Sequence, residues 1–287
     1  MIVKGMKYML RTMVTATNTL GQLQTQLDTI SNNIANSNTV GYKAQQAKFQ
    51  ELLYQQYEND KLDKTLRQSP VGIRYGVGSH ITQIASNETQ GSLQNTNRDL
   101  DFAMTKPNMY FNVLMPDGDG TKQAYTRQGN FYVSPIENGS LLLVTSEGYP
   151  VANSNGEFIT LPDGVESFTL SPQGRLNANY PDGQTIPVDL GVTEIHKPQV
   201  MEKINGGAYI AEPDDLEALG YNEADIFTNL NGVNRSRIAM QNGYLEQSNV
   251  DLSREMTDLI ATQRSYQFNS RAVTIADQML GLINGIR

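Results

Sequence analysis

Two histidines, His80 and His196, are the only imidazoles in 287 residues, and there is no cysteine. They lie far apart in the chain with no metal-ligand residues spaced beside them, so a histidine satisfied by its surroundings is the expected state of each. Without thiols there is no thiolate nucleophile, no zinc site of the cysteine type and no disulfide framework, and the chain can work on either side of a reducing boundary. No G-x-S-x-G, H-E-x-x-H or P-loop spacing occurs. Asp117-Gly118-Asp119-Gly120 resembles the start of a calcium loop. Thr121 and Lys122, however, stand where an EF-hand needs a ligand and its glycine, so a hairpin turn is expected. Asp214, Asp215 and Glu217 follow Pro213 and suit the first turn of a short helix. No catalytic, cofactor-binding or metal-ligating residue is assigned, and the chain is not expected to be an enzyme.

Composition narrows the partners. With 30 acidic against 22 basic side chains the net charge is −8, which disfavours nucleic acid and anionic lipid as binding surfaces. Lys4, Lys7 and Arg11 precede some apolar residues, but Thr12, Thr15, Thr17, Asn18 and Thr19 interrupt any hydrophobic run. Neither a cleaved secretion signal nor a membrane span is expected. Met1 and Met9 are both candidate starts.

The strongest pattern is positional. Between Met6 and Ile34 the apolar residues fall at Met6, Met9, Met13, Ala16, Leu20, Leu23, Leu27, Ile30 and Ile34, in alternating steps of three and four. Such spacing keeps one narrow stripe facing a neighbour along the whole helix and predicts a coiled-coil-like seam. Near the other end the alternation runs through Leu252, Met256, Leu259, Gln263, Tyr266, Ser270, Val273, Asp277 and Leu280. A second apolar row follows at Phe268, Ala272, Ile275, Met279, Leu282 and Ile286. Gln263, Ser270 and Asp277 interrupt the seam; they either select register in a polymer or face solvent.

Between the helices the signal is that of strands and turns. Runs at Tyr110–Met115, Asn130–Val133, Ser140–Thr145, Glu157–Leu161 and Ser167–Leu170 are β-branched or aromatic, and turn tripeptides such as Pro162-Asp163-Gly164 and Pro181-Asp182-Gly183 separate them. The predicted fold class is α+β. Helical segments at 1–56 and 236–287 pair as a coiled-coil-like domain, a connector covers 57–90, and an antiparallel all-β domain covers 91–235. The connector has mixed charge, a helix-breaking Gln68-Ser69-Pro70-Val71-Gly72, and a candidate strand at Arg74–Ile81 that would form half of a long hairpin.

The residues where the first helix ends carry a family likeness. Asn32, Asn33, Ala35, Asn36, Thr39, Gly41, Tyr42 and Lys43 fill nearly every position of the pattern N-N-(I/L)-A-N-x-x-T-x-G-(F/Y)-K, so the stretch resembles the N-terminal signature of bacterial flagellar rod and hook proteins. Ala47-Lys48-Phe49-Gln50-Glu51-Leu52-Leu53-Tyr54-Gln55 is similar to the stretch that follows it in distal rod proteins. Gly243–Leu252, Gln263–Gln267 and Asp277–Leu280 resemble the family's closing helix, and Tyr125-Thr126-Arg127-Gln128-Gly129-Asn130-Phe131 follows the expected order in the middle. One departure stands out: Pro107, Asn108 and Met109 precede Tyr110-Phe111 where relatives usually carry glycines, so that turn must differ locally.

The resemblance implies a structural subunit of the flagellar basal body, of distal-rod or hook-basal-body type. Such a subunit is exported by the flagellar type III apparatus and polymerised through its terminal helices into the axial rod that transmits torque to the hook. Its partners would be copies of itself and other rod and hook subunits, with no small-molecule substrate and no membrane insertion, and its place would be the basal body outside the cytoplasm. The implied assembly interface is Met13, Ala16, Leu20, Leu23, Leu27, Ile30 and Ile34 with Leu252, Met256, Leu259, Tyr266, Val273 and Leu280. A hook-type protein and a coiled-coil-anchored adhesin are the alternatives; the hook type usually carries a further outer β domain, for which this chain is short.

Overall fold

A computed structural model describes residues 2–51, 55–57, 73–75, 79–117, 120–136, 139–171, 173–204, 207–213 and 220–285. The expectations at Gly118 and Asp119, at 214–219, at Gln68–Gly72 and at Ile286 lie outside the described residues, as do the side chains of Met6, Met9 and His80. The chain is a mixture of helix and strand with a long helix at each end.

Helix α1 spans Ile2–Ala35 and is 34 residues, roughly 50 Å at about 1.5 Å per residue. Its many threonines are poor helix formers, yet Thr17, Thr19, Thr25 and Thr29 each turn the hydroxyl back onto the carbonyl four residues earlier, at 2.8 to 3.1 Å. The hydroxyls are thereby satisfied within the helix, at a slight cost to its regularity. The C-terminal helix, Leu252–Gly285, uses the same device at Thr257, Ser265 and Thr274. No helix among the described residues is long and apolar enough to cross a membrane.

The backbone divides into two compact units. A helical unit comprises residues 1–34, 45–85 and 252–287. Besides its helices it contains two pairs of strand segments, Gln45–Glu51 with Ser79–Ser86 and Gln55–Tyr57 with Ile73–Tyr75.

A β unit comprises residues 35–44 and 86–251. Its largest sheet runs in the spatial order Glu202–Ile204, Tyr209–Ala211, Gly120–Thr126, Met109–Asp117, Val192–Ile195 and Phe227–Asn229, all neighbours antiparallel. Two three-stranded sheets accompany it: Thr160–Pro162, Ser140–Val144 and Tyr132–Ile136 in one, Ser167–Ser171, Arg175–Asn179 and Thr185–Asp189 in the other. The alternating runs of the sequence thus become strands. Phe111, Phe131, Leu143, Val151, Ile159, Leu176 and Leu190 meet in one core, with Phe111 edge-on to Phe131 at 5.1 Å between ring centres. The unit is not purely β. A one-turn helix α2, Glu223–Ile226, sends Ile226 into a second apolar cluster with Tyr110, Tyr125 and Phe227, and a 3-10 turn covers Gly232–Arg237. The C-terminal helix is α3.

The turn after Pro107 is made without a glycine. Asn108 takes φ +62°, the left-handed region that a glycine would occupy, and its carbonyl accepts the Ile195 amide at 2.8 Å. Asparagine is among the few side chains that tolerate this geometry, so the turn is kept without the glycine.

Candidate functional site

The stripe on α1 is one-sided in the single chain. Met13, Ala16, Leu20, Leu23, Leu27 and Ile34 are half-buried and Ile30 is buried, while Val14, Thr17, Asn18, Gly21, Gln24 and Asp28 between them are exposed. On α3 the line of lowered exposure shares Leu259, Tyr266, Val273 and Leu280 with the seam read in the sequence, but passes between them through other residues. It passes through Leu259, Thr262, Tyr266, Asn269, Val273, Ala276 and Leu280, still in steps of three and four. Gln263, Ser270 and Asp277 are exposed, and so are Leu252 and Met256. Small or polar residues therefore occupy three of the seven positions of this line on α3, and other large side chains are left outside it: Phe268, Ile275, Met279 and Leu282 are 74, 54, 38 and 68 % exposed.

Where α1 stops, Asn33, Asn36, Thr39 and Gly41 of the signature fix the backbone. Inside the helical unit, the Asn33 side chain is buried and clasps Gln45 like a neighbouring strand: its Oδ1 accepts the Gln45 amide and its Nδ2 donates to the Gln45 carbonyl, both at 2.8 Å. Inside the β unit, Thr39 donates to Asn36 through its amide and its hydroxyl, each at 3.1 Å, closing the turn after the helix. Gly41 sits at φ +70°, and a Cβ there would lie 2.5 Å from the Arg127 carbonyl carbon and 2.7 Å from the Gln128 nitrogen. Glycine is required twice over, for the dihedral and for the close approach. Tyr42 follows, fully enclosed, while Asn32 and Ala35 are exposed.

Lys43 ends the signature in a buried ionic cluster. Its Nζ donates to Glu246 Oε1 at 2.7 Å and to the Thr89 carbonyl at 2.8 Å. The other carboxylate oxygen of Glu246 accepts from Arg127 Nε at 2.8 Å and lies 2.6 Å from Arg127 Nη2, and both side chains are 1 % exposed. Arg127 Nη1 donates to the carbonyls of Lys106 and Met109. Beside them the Tyr110 hydroxyl donates to Glu88 at 2.6 Å. Burial, and then the neighbouring Arg127 charge, holds the Lys43 ammonium below the usual lysine range; burial and the Glu88 carboxylate push the Tyr110 hydroxyl well up. Removing one member of such a buried pair leaves an uncompensated charge, at a cost of about 3–5 kcal/mol. Asn249 completes the arrangement: its Oδ1 accepts the Ala44 amide at 2.7 Å and its Nδ2 donates to the carbonyls of Asn87 and Thr89 at 2.8 Å.

Sequence reasoning missed the partnership of Lys43, Arg127 and Glu246, although each lies in a family-like stretch. Pairs separated by 203 and 119 residues leave no local signal. It also missed Arg235, buried in the 3-10 turn, whose guanidinium donates to the carbonyls of Leu190 and Gly174 at 3.0 and 2.9 Å. His196 is exposed, with Nε2 3.0 Å from the Thr228 hydroxyl, and Asp117 ends an edge of the Met109–Asp117 hairpin. Among the described residues no group of three or more histidine or acidic side chains is placed to hold a metal ion.

Buried polar groups that bind the protein's own backbone, with terminal helices that leave large apolar side chains uncovered, define a structural protein. Comparison with known proteins gives the family. Residues 13–43 match the flagella basal body rod protein model, residues 106–178 the D1 domain of flagellar hook proteins FlgE/F/G, and residues 241–286 the flagellar basal body rod FlgEFG C-terminal model. The chain is 44 % identical to the flagellar hook-basal body complex protein FlhP of Bacillus subtilis, over 97 % of this chain and 100 % of that one. It is 32 % identical to the flagellar basal-body rod protein FlgG of B. subtilis, over 95 % of this chain and 97 % of the relative. The rod protein FlgG of Borreliella burgdorferi is likewise 32 % identical, over 97 % and 99 %. The chain belongs to the flagellar basal-body rod and hook-basal body protein family, a family of structural proteins and not of enzymes.

Proposed function

We propose that this protein is a subunit of the axial rod of the flagellum, delivered by the flagellar type III export apparatus and built in through α1 and α3 among copies of itself and of other rod and hook subunits. The assembled rod transmits torque to the hook. The observation that carries this reading is the outward row of α3. A helix whose inward line is small or polar at three of its seven positions, and whose Phe268, Ile275 and Leu282 remain more than half exposed, has its apolar surface on the wrong side for an isolated chain. Covering each such side chain is worth about 1.5–3 kcal/mol. In an assembly the gain recurs in every subunit, and the seam on α1 gains depth in the same way. Met13 to Ile34 and Leu259 to Leu280 supply the pairing surface within the chain, and the outward row supplies the surface between chains.

Replacing exposed Phe268 and Leu282 together by aspartate separates assembly from folding. The expected result is an exported, monomeric protein with unchanged helical circular dichroism and unchanged melting of the β unit, in cells that build no hook or filament. Normal flagella in the Phe268→Asp, Leu282→Asp strain would refute the assembly surface.

A further inference from the structure

The charges of the ionic cluster enter the β unit at widely separated points of the chain. Lys43 comes first and Arg127 in the middle; the single carboxylate that touches both, Glu246, arrives in the strand Tyr244–Glu246 just ahead of α3. The same segment closes much more than the charge. Tyr244–Glu246 is the sheet partner of Leu93–Asn95, and Met240–Asn242 that of Phe102–Met104, each in a sheet of two strands. Gly41 donates its amide to the Glu246 carbonyl at 2.7 Å, and Gly91 donates its amide to Glu246 Oε1 at 3.0 Å. The Gly243 amide meets the Asp101 carbonyl and the Gln247 amide the Ser92 carbonyl, at 2.8 and 2.9 Å. Gly91 has no room for a side chain, since a Cβ would lie 2.0 Å from the Gln247 carbonyl oxygen.

Before residues 239–249 dock, two short strands have no sheet partner and two backbone amides lose their acceptor. The cations Lys43 and Arg127 would share the same interior with no anion between them. Glu88, which accepts the Tyr110 hydroxyl, acts on Lys43 only through its charge and more weakly than Glu246, so it is a poorer counter-ion for the pair of cations. Like charges brought together in a site of low polarity are strongly disfavoured. Contacts of such long sequence separation also form only after the loops between them have closed.

We propose that Glu246 is a completion latch: the β unit reaches its closed state only when the segment 239–249 has docked, and a chain that has not yet delivered that segment holds residues 86–239 open. Because α3 begins directly after the latch, a closed β unit then certifies that the whole chain up to its last helix has been supplied. Incomplete subunits stay unfolded and offer no finished surface to a growing assembly.

Refolding of the full-length protein from denaturant, with pulsed hydrogen exchange read residue by residue, tests this order. The expected result is that core amides at Asn112, Leu143 and Val151 gain protection in the same kinetic phase as those of Gly41, Gly91 and Gln247. Glu246→Gln, which keeps the shape and removes the charge, should slow that joint phase roughly ten-fold or more; Glu88→Gln, which leaves both cation pairs intact, should not. Protection of the core amides in a phase that precedes Gly91 and Gln247 in the native sequence would overturn the latch. An unchanged core phase in Glu246→Gln would overturn it as well. If the Glu246→Gln chain does not refold, the order of phases in the native sequence decides alone.

Discussion

The β unit and the two terminal helices bury their apolar residues in opposite ways. In the β unit the core is enclosed by the chain itself: Phe102, Phe111, Phe131, Leu143, Leu176 and Leu190 are all shut off from solvent, even the ionic groups Arg127 and Glu246 are sealed, and exposed apolar side chains such as Phe158 and Val233 lie outside that core. In α1 the seam leucines are only half covered, and in α3 Phe268, Ile275 and Leu282 stand free. A domain that completes its own core can fold as a monomer; helices that cover one narrow line and expose another need further surface. The contrast teaches where stability and assembly reside, and each can be attacked without the other.

The largest effect is expected at the α1 seam. Leu23→Asp with Leu27→Asp removes two half-buried side chains, each worth up to about 1.5–3 kcal/mol on burial, and adds two charges that would have to be desolvated. Rod incorporation and hook growth should be lost altogether, whereas the near-ultraviolet melting transition of the β unit should stay where it was. A control on the exposed side of α1 within the monomer, Gln24→Ala, should alter neither export nor the melting of the β unit. If the leucine double variant abolishes the β unit's transition, the stripe belongs to that unit's core and the contrast between the regions fails.

How far each region could be read from the sequence follows the same divide. The α1 stripe was legible because leucines, methionines and isoleucines mark every step, and strands such as Met109–Asp117 and Ser140–Val144 announced themselves by β-branched and aromatic residues between turns. On α3 the positions Leu259, Tyr266, Val273 and Leu280 were legible, and those between them were not. From Leu259 a step of four reaches Gln263 and a step of three reaches Thr262, neither of them apolar, and only packing shows that Thr262, Asn269 and Ala276 continue the line. Residues 175–229 contain strands of three to five residues interrupted by Asn, Pro and Thr, too short for a period to register. By propensity alone the signature asparagines read as a polar helix terminus and a loop. Their reason is tertiary: Asn33 stands in for a strand edge, and Gly41 yields space to Arg127.

A smaller effect should appear at high pH, and in the β unit. Burial raises the hydroxyl pKa of Tyr209 to about 12; burial raises that of Tyr125, helped by the Glu212 and Glu223 charges, and that of Tyr110, helped by Glu88. In the unfolded chain these groups titrate near about 10. A phenol whose folded pKa is raised contributes stability that is fully present below the unfolded value and is lost as pH climbs toward the folded one. Tyr209 alone accounts for roughly 2–3 kcal/mol between about pH 10 and 12. Absorbance at the phenolate band should therefore rise late and together with the loss of the β unit's near-ultraviolet signal. Tyr209→Phe should shift that alkaline transition upward. Titration of all tyrosines near their ordinary value, with the β unit still folded, would contradict the enclosed core on which the comparison rests.

The smallest effects belong to the residues that first suggested chemistry. His196 is solvent-exposed and its ring reaches one partner, the Thr228 hydroxyl at 3.0 Å, across the pair of strands Val192–Ile195 and Phe227–Asn229. A neutral hydrogen bond at an exposed position is worth at most about 0.5–1 kcal/mol net. Asp117 is exposed at the end of its hairpin. Alanine at either position should change the melting temperature of the β unit by no more than a degree or two and leave swarming unaffected. Neither residue is a partner in the cluster around Glu246, so its loss is expected to leave assembly as it was. If His196→Ala yields a folded, exported protein in non-motile cells, then the β unit does something beyond closing on itself. The division between a self-sufficient domain and assembling helices would then have to be redrawn around the sheet edge at Thr228.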